Sequence, residues 1–260
     1  MSEQNIFSYA NILNTARLNA TPIEQISKNF QQITRMDAYS IQETQMHIRI
    51  KNNEKIIGWK MGLTSEAKRK QMNLDSPLYG FLTNEMQVSN NDTFSLSGKI
   101  HPKIEPEIAF LISKNLSGDV TKEQVLDGCE GVAASLEILD SRYTQFKYFS
   151  MEDVIADNSS SSHFIIGNWR KIENLDLIKL NMKMYENNQL MEQGLSKNIS
   201  GDPVLSVIEL CKLLQKRNKI LEAGSIVLAG AATTAIELKP DTKIRLEVDH
   251  FEPIQIKITP

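Results

Sequence analysis

The stretch His101-Pro102-Lys103-Ile104-Glu105-Pro106-Glu107-Ile108 decides how this chain is read. In extended backbone, successive side chains point to opposite faces. His101, Lys103, Glu105 and Glu107 then share one face, and the two prolines and two isoleucines share the other. Mg²⁺ and Mn²⁺ take oxygen ligands, usually a few carboxylates with the remaining positions left to water or substrate. A third acid is needed, and Glu137 in Ala134-Ser-Leu-Glu137-Ile-Leu-Asp140 is the natural candidate. It sits in an apolar run, where an uncompensated carboxylate is costly. Two acids at i and i+2 alone describe an ordinary solvated strand face equally well. The third acid favours a metal site.

The surrounding composition is that of a globular protein. The chain has 260 residues, 41% hydrophobic and 23% charged, enough to bury one large core. A net charge of −3 gives no footprint for a phosphate backbone, so nucleic acid is not expected as a partner. No apolar stretch is long enough to span a bilayer, and the start Met-Ser-Glu-Gln-Asn lacks the basic and apolar regions of a signal peptide. A cytoplasmic location without membrane contact is expected. Cys129 and Cys211 lie far apart and read as buried thiols.

Working outward, the N-terminal part has helical spacing. Ile6 to Leu18 and Asp37 to Asn52 carry apolar residues at helical intervals, and Thr21-Pro22-Ile23-Glu24 reads as a capping box opening a helix to about Phe30. Lys55 to Gly62 reads as a strand, and Thr64-Ser65-Glu66 as the start of a short helix to about Met72. Helices are also expected over Val120 to Cys129, opening at Thr121, and over Asp202 to Gln215, opening at Pro203. The chain ends in strands: Ser225 to Leu228, Ala235 to Leu238, Lys243 to Val248 and Ile254 to Thr259. The serine run Ser159 to Ser162 lies between Val154-Ile-Ala and Phe164-Ile-Ile, both read as strands, and suits a loop that lets a ligand approach the backbone.

Several segments together resemble one family. They are Lys60-Met-Gly-Leu-Thr64-Ser65, Pro77-Leu-Tyr79-Gly80-Phe81-Leu82, the Ile100 to Ile108 stretch, Leu136-Glu137-Ile-Leu-Asp140-Ser-Arg142-Tyr143 and Val154-Ile-Ala-Asp157-Asn158-Ser-Ser160. In this order they resemble the 4-oxalocrotonate decarboxylases, which share a branch with the 2-keto-4-pentenoate hydratases inside the fumarylacetoacetate hydrolase superfamily. The resemblance implies an α+β fold, a rolled mixed β-structure with an N-terminal helical lobe. The lobe is expected over 1–75 and contributes Lys60. The metal-binding β-rich domain is expected over 76–260, the two making one compact unit. Pro106, Ala229-Gly230-Ala231 and Asp249 to Pro253 depart from the family pattern, and a proline in a strand is tolerated only at an edge or bulge.

By the same resemblance Glu105, Glu107 and Glu137 match the metal acids, and Lys60 the active-site lysine. Without it, Lys60 would read as a surface lysine. Thr64 and Ser65 read as a helix cap that can also receive a substrate carboxylate. Lys103 joins them as a substrate-binding candidate. Tyr79 and Ser160 are catalytic candidates, Asn158 a pocket residue, and Tyr79, Phe81 and Ser160 the lining of the far end. Asp157, Asn158 and Ser160 are also ordinary turn residues. His101 is either a base or a packed histidine, and Asp140 with Arg142 reads as a structural pair.

The implied activity is Mg²⁺- or Mn²⁺-dependent decarboxylation of 2-oxohex-3-enedioate to 2-hydroxypenta-2,4-dienoate, in the catabolism of aromatic compounds by ring cleavage. The substrate is a small 2-oxo acid. The alternatives are the hydratase reaction, hydrolysis of a C–C bond in an acylpyruvate, and a non-catalytic partner subunit of a hydratase. The resemblance also implies a homo-oligomer and makes a related hydratase a candidate partner. No nucleotide or phosphate loop is present.

Overall fold

The computed structural model describes residues 1–65, 69, 76–145 and 150–260. Two sheets carry the chain. The larger contains β1 (Ile56–Gly62), β2 (Leu78–Thr83), β3 (Gln87–Val88), β5 (Lys103–Ile112), β6 (Cys129–Leu139), β7 (Ser161–Ile166), β10 (Ile226–Ala231) and β11 (Ile236–Glu237). The smaller contains β4 (Thr93–Ser95), β8 (Asn181–Glu186), β9 (Gln189–Leu195), β12 (Thr242–Val248) and β13 (Ile254–Thr259). Strand order is β2-β1-β10-β5-β6-β7-β3 in the larger, with β11 on β5, and β4-β13-β12-β8-β9 in the smaller. β1–β10, β3–β7 and β4–β13 pair in parallel and the other pairs are antiparallel.

The larger sheet curls until β2 and β7, far apart in strand order, come back into contact. Its concave face holds a small apolar cluster of Leu82, Met86, Ala109, Ala133, Phe164 and Leu228. The opposite face joins the main core. There α3 (Arg35–Lys51) lies on β2: Tyr39 stacks on Tyr79 at 4.7 Å, and Gln42 Nε2 donates to the Tyr79 carbonyl at 2.9 Å. α1 (Glu3–Asn19) packs on α3. Ser2 caps α1, and Thr34 with Asp37 forms the capping box of α3.

The capping box expected at Thr21 to Glu24 does not form. Ile23 instead makes a β-bridge to Tyr143, its N–H donating to the Arg142 carbonyl at 2.9 Å, which leaves only α2 (Ile26–Asn29) as helix. A tertiary partner outcompeted the local cap. α4 (Lys122–Asp127) and α6 (Pro203–Gln215) follow the sequence reading, with Thr121 and Asp202 as caps. Val154-Ile-Ala is not a strand: it lies in α5 (Met151–Ala156), opened by Ser150, whose hydroxyl accepts the Asp153 N–H at 3.0 Å. The helix expected from Thr64 to Met72 falls outside the described residues apart from its first two and Arg69. β1 is hydrogen-bonded between β2 and β10, so a division at 75/76 would cut through the larger sheet. Among the described residues no helix is long and apolar enough to cross a membrane.

His163 on β7 meets the smaller sheet, its ring edge-on to Phe94 at 4.9 Å and its Nδ1 2.8 Å from the Ser162 hydroxyl. Burial, then the charges of Lys99, Arg49 and Arg17, pushes its imidazole down to about 3. The unfolded chain titrates near 6.5 and binds the proton that the folded one refuses, so stability is lost as pH falls below 6.5. By pH 5 the loss amounts to about 2 kcal/mol. His163→Asn is expected to remove this component. Urea unfolding of both proteins at pH 7 and pH 5 checks it.

Candidate metal centre

Alternation along β5 puts Lys103, Glu105 and Glu107 on one face, and register supplies the rest. Glu105 lies directly opposite Glu137 on β6, and Glu107 opposite Ser135. The three acids present oxygens all within 4.8 Å of one another, and Glu107 and Glu137 are fully buried. β1 brings Lys60, 2% exposed, to the same face, with Nζ 2.9 Å from Glu137 Oε2. The surface-lysine reading of Lys60 is therefore wrong.

Each buried acid has one oxygen held by a fixed donor. Glu107 Oε2 accepts the Gly230 N–H at 2.8 Å, and Glu137 Oε1 accepts the Ser161 hydroxyl at 2.9 Å. Among the described residues, no N–H or hydroxyl group donates to Glu107 Oε1, and Glu137 Oε2 meets the Lys60 ammonium. Burial, reinforced by Glu137 and Glu105, holds the Glu107 carboxyl well above the usual carboxylate range. Burial also raises Glu137, against the pull of Lys60. Burial opposes the charge on Lys60, but Glu137, Glu105 and Glu107 outweigh it, so the ammonium is retained and its pKa raised. An all-oxygen donor set and, among the described residues, a buried carboxylate oxygen without a donor fit one hard divalent cation.

Gly230 reaches Glu107 because β10 bulges there: Leu228 pairs with Ala109 but Ala231 with Glu107, three steps against two. Gly230 adopts φ +109°, and a Cβ there would lie 2.4 Å from Thr64 Oγ1. Pro106 lies just beyond this bulge, before β11 begins, and its carbonyl accepts the Ala232 N–H at 3.0 Å. The missing proline N–H therefore falls in a break of the ladder, as the strand rule requires.

Of the other residues expected at the site, Thr64 lies against Gly230, and the Ser65 carbonyl accepts the Arg69 N–H at 3.0 Å. Lys103 is half-buried on the acid face, opposite Leu139. Tyr79 and Phe81 are not there. Tyr79 pairs with Met61 and Phe81 with Trp59, one residue out of phase with Lys60, so both side chains enter the helix-covered core. Asn158 is spent on backbone: its Oδ1 accepts the Phe81 N–H at 2.8 Å and its Nδ2 donates to the Phe81 carbonyl at 3.0 Å, closing the edge of β2. Ser160 points its hydroxyl at Asp157 Oδ2, 3.3 Å away. His101 is a packed histidine, its Nε2 3.0 Å from the Tyr143 carbonyl. The Asp140 carboxylate accepts the Ile100 and His101 N–H groups rather than pairing with Arg142, which donates to the Asp140 carbonyl at 2.7 Å and pairs with the Asp157 carboxylate. Cys129 and Cys211 are free thiols pushed up to about 11 and 12 by burial.

Sequence reasoning missed Ser161, the Gly230 N–H and Asp157. Ser161 stood in the quoted serine run, but no period exists across a turn to say which serine faces inward.

No protein-family model matches the chain. It is 40% identical to a 4-oxalocrotonate decarboxylase from Pseudomonas sp. over 227 residues, 87% of this chain and 88% of the relative. It is 31% identical to a 2-hydroxyhexa-2,4-dienoate hydratase from Comamonas testosteroni, covering 93% and 92% of the two chains. The structure superposes on 4-oxalocrotonate decarboxylase from Pseudomonas putida G7, solved with magnesium and adipate, with a TM-score of 0.97 at 32% identity over 99% and 98% of the chains. Fumarylpyruvate hydrolase from Pseudomonas aeruginosa, solved with Mn²⁺ and pyruvate, shares the fold alone, with a TM-score of 0.63 at 14% identity over 78% of this chain and 89% of that one. With its curled sheet, helical N-terminal layer and clustered acids, the chain belongs to the family of 4-oxalocrotonate decarboxylases and 2-keto-4-pentenoate hydratases, on the fumarylacetoacetate hydrolase fold.

Proposed function

We propose that this protein decarboxylates 2-oxohex-3-enedioate to 2-hydroxypenta-2,4-dienoate, using Mg²⁺ or Mn²⁺ held by Glu105, Glu107 and Glu137. The observation that carries the reading is the acid cluster with Lys60 beside it, in a chain whose similarity to decarboxylases runs nearly end to end. Adipate, bound with magnesium in the P. putida structure, is a six-carbon dicarboxylate of the same length as this substrate. When bound, the cation supplies Lewis acidity to the 2-oxo acid end of the substrate.

The chain's own groups supply the remainder. In the substrate the departing carboxylate is vinylogous to the 2-oxo group. Breaking its C–C bond releases CO₂, and the electron pair moves through the alkene to the 2-oxo oxygen, which takes a proton. Against the effect of burial, the three acids raise the pKa of the Lys60 ammonium in the metal-free protein, and we assign it the role of a fixed cation and proton donor at the 2-oxo end rather than of a base. The apolar cluster below the acids, with Phe164 and Leu228, keeps water from solvating that end and strengthens each charge interaction there. No cation is assigned to the departing carboxylate, because pairing it would stabilise the ground state. Since Tyr79 and Phe81 face the other core, the far end is lined by other groups. Assembly as a homo-oligomer, with a related hydratase as a candidate partner, belongs to the same proposal.

The hydratase reaction is the second reading, favoured by the full-length similarity to the Comamonas testosteroni enzyme. Purified protein with Mg²⁺ is expected to release CO₂ from 2-oxohex-3-enedioate and to leave 2-hydroxypenta-2,4-dienoate largely unhydrated. Consumption of the dienoate without CO₂ release would replace the first reading by the second.

Glu107→Gln is expected to weaken Mn²⁺ binding at least about 100-fold, the upper end of what losing a mere outer partner costs. Burial, with Glu137 and Glu105 beside it, raises the pKa of the Glu107 carboxyl, and a cation binds only its deprotonated form. Affinity therefore rises with pH, and binding releases protons. Calorimetry in buffers of different ionisation enthalpy measures both. Lys60→Ala is expected to lower kcat about 10²- to 10³-fold, the range for losing one preorganised donor, while Mn²⁺ affinity is kept or improved. A variant with near-normal kcat would remove Lys60 from the chemistry.

A further inference from the structure

Glu137 touches two different groups, Lys60 at Oε2 and Ser161 at Oε1. The second contact is built with unusual backbone. Ile138 pairs with His163 but Leu139 with Ser161, so β7 takes two steps where β6 takes one. Phe164 lies opposite Glu137, and in a regular ladder Ser162 would come next on that face. The bulge gives that place to Ser161 and leaves the Ser162 hydroxyl on His163.

The residues leading into the bulge are Asn158, Ser159 and Ser160, all left-handed with φ of 50°, 55° and 55°. Successive left-handed residues other than glycine are unfavourable and persist only where the surroundings impose them. Each is tied down. Asn158 clasps the Phe81 backbone on both sides, Ser159 lies against Gly62, and the Ser160 carbonyl accepts the Asp140 N–H at 2.8 Å. The buried Arg142, paired to Asp157, also donates to the Ser161 carbonyl at 3.1 Å. A serine that merely filled space would need none of this, since any nearby carbonyl could satisfy its hydroxyl.

We infer that Ser161 is a positioning residue: its hydroxyl fixes the Glu137 carboxylate so that Oε2 faces Lys60 and the cation. This inference rests on the metal reading above and adds to it a residue that acts through Glu137. Ser161 is 1% exposed, so the contact is shielded from competing water.

Mn²⁺ affinity, followed by the electron paramagnetic resonance signal of the free ion, tests it without any substrate. Ser161→Ala is expected to weaken Mn²⁺ binding about 10- to 100-fold, the usual cost of losing a partner behind a ligand, with the metal-free melting temperature little changed. Ser161→Cys keeps the shape with a weaker donor, and an intermediate loss is expected; it carries the test alone if the alanine variant does not fold. In a Glu137→Gln background the same substitution at 161 should add less than about twofold, because coupled residues are not additive. Parent-like affinity in the Ala or Cys variant, or an undiminished further loss in the Gln background, overturns the role of Ser161 and leaves the metal reading standing. A parent protein that binds no Mn²⁺ overturns both.

Discussion

Placing three carboxylates within 4.8 Å of one another, two of them out of water, is the constraint that the rest of the molecule answers. At such a separation each like-charged pair repels by about 3 kcal/mol for an effective dielectric constant of roughly 20. Burial, and then this repulsion from Glu137 and Glu105, raises the Glu107 carboxyl well above the usual carboxylate range. Among the described residues, counterweights come from distant parts of the chain: an ammonium on β1, a backbone N–H on β10 and a hydroxyl at the start of β7.

The two fixed donors share an architectural device. A β-bulge delivers the Gly230 N–H to Glu107, and another delivers the Ser161 hydroxyl to Glu137. A regular ladder would commit that N–H to the neighbouring strand and would put Ser162 in place of Ser161. The curl of the sheet completes the arrangement by bringing the turn after α5 over Gly62 and Gly80, beside Lys60. Glycine is needed at 80, where a Cβ would lie 2.7 Å from the Asn158 carbonyl oxygen. Among the described residues, α1 and α3 lie on the side of the sheet away from the acids. They cover the convex face, where Tyr79 and Phe81 are packed away from the site.

This division bears on how one family supports two reactions. In the proposed reading, a 2-oxo acid end held by a cation and Lys60 would serve decarboxylation and hydration alike, since both require electron density drawn to the 2-oxo oxygen. The cluster of acids cannot by itself choose between them. Discrimination belongs to the far end of the substrate, where a departing carboxylate must be left unpaired or a water must be activated.

What the sequence determined by itself was local or periodic. Alternation along Lys103 to Glu107 gave the acid face, an acid within an apolar run gave Glu137, and helical spacing gave α1, α3 and α6. Its failures came where distant segments compete with local signals. The Thr21 to Glu24 box lost to a bridge with Tyr143, and the Val154 strand reading lost to a Ser150 cap and packing on α3. Resemblance placed Lys60, but only strand register could place Tyr79 one residue out of phase with it. Likewise no pattern within Ser159 to Ser162 could single out Ser161, because a bulge breaks the period on which such patterns rest. Side-chain direction follows from sequence while the ladder is regular; where it bulges, only the tertiary structure decides, since the neighbouring strand fixes the register.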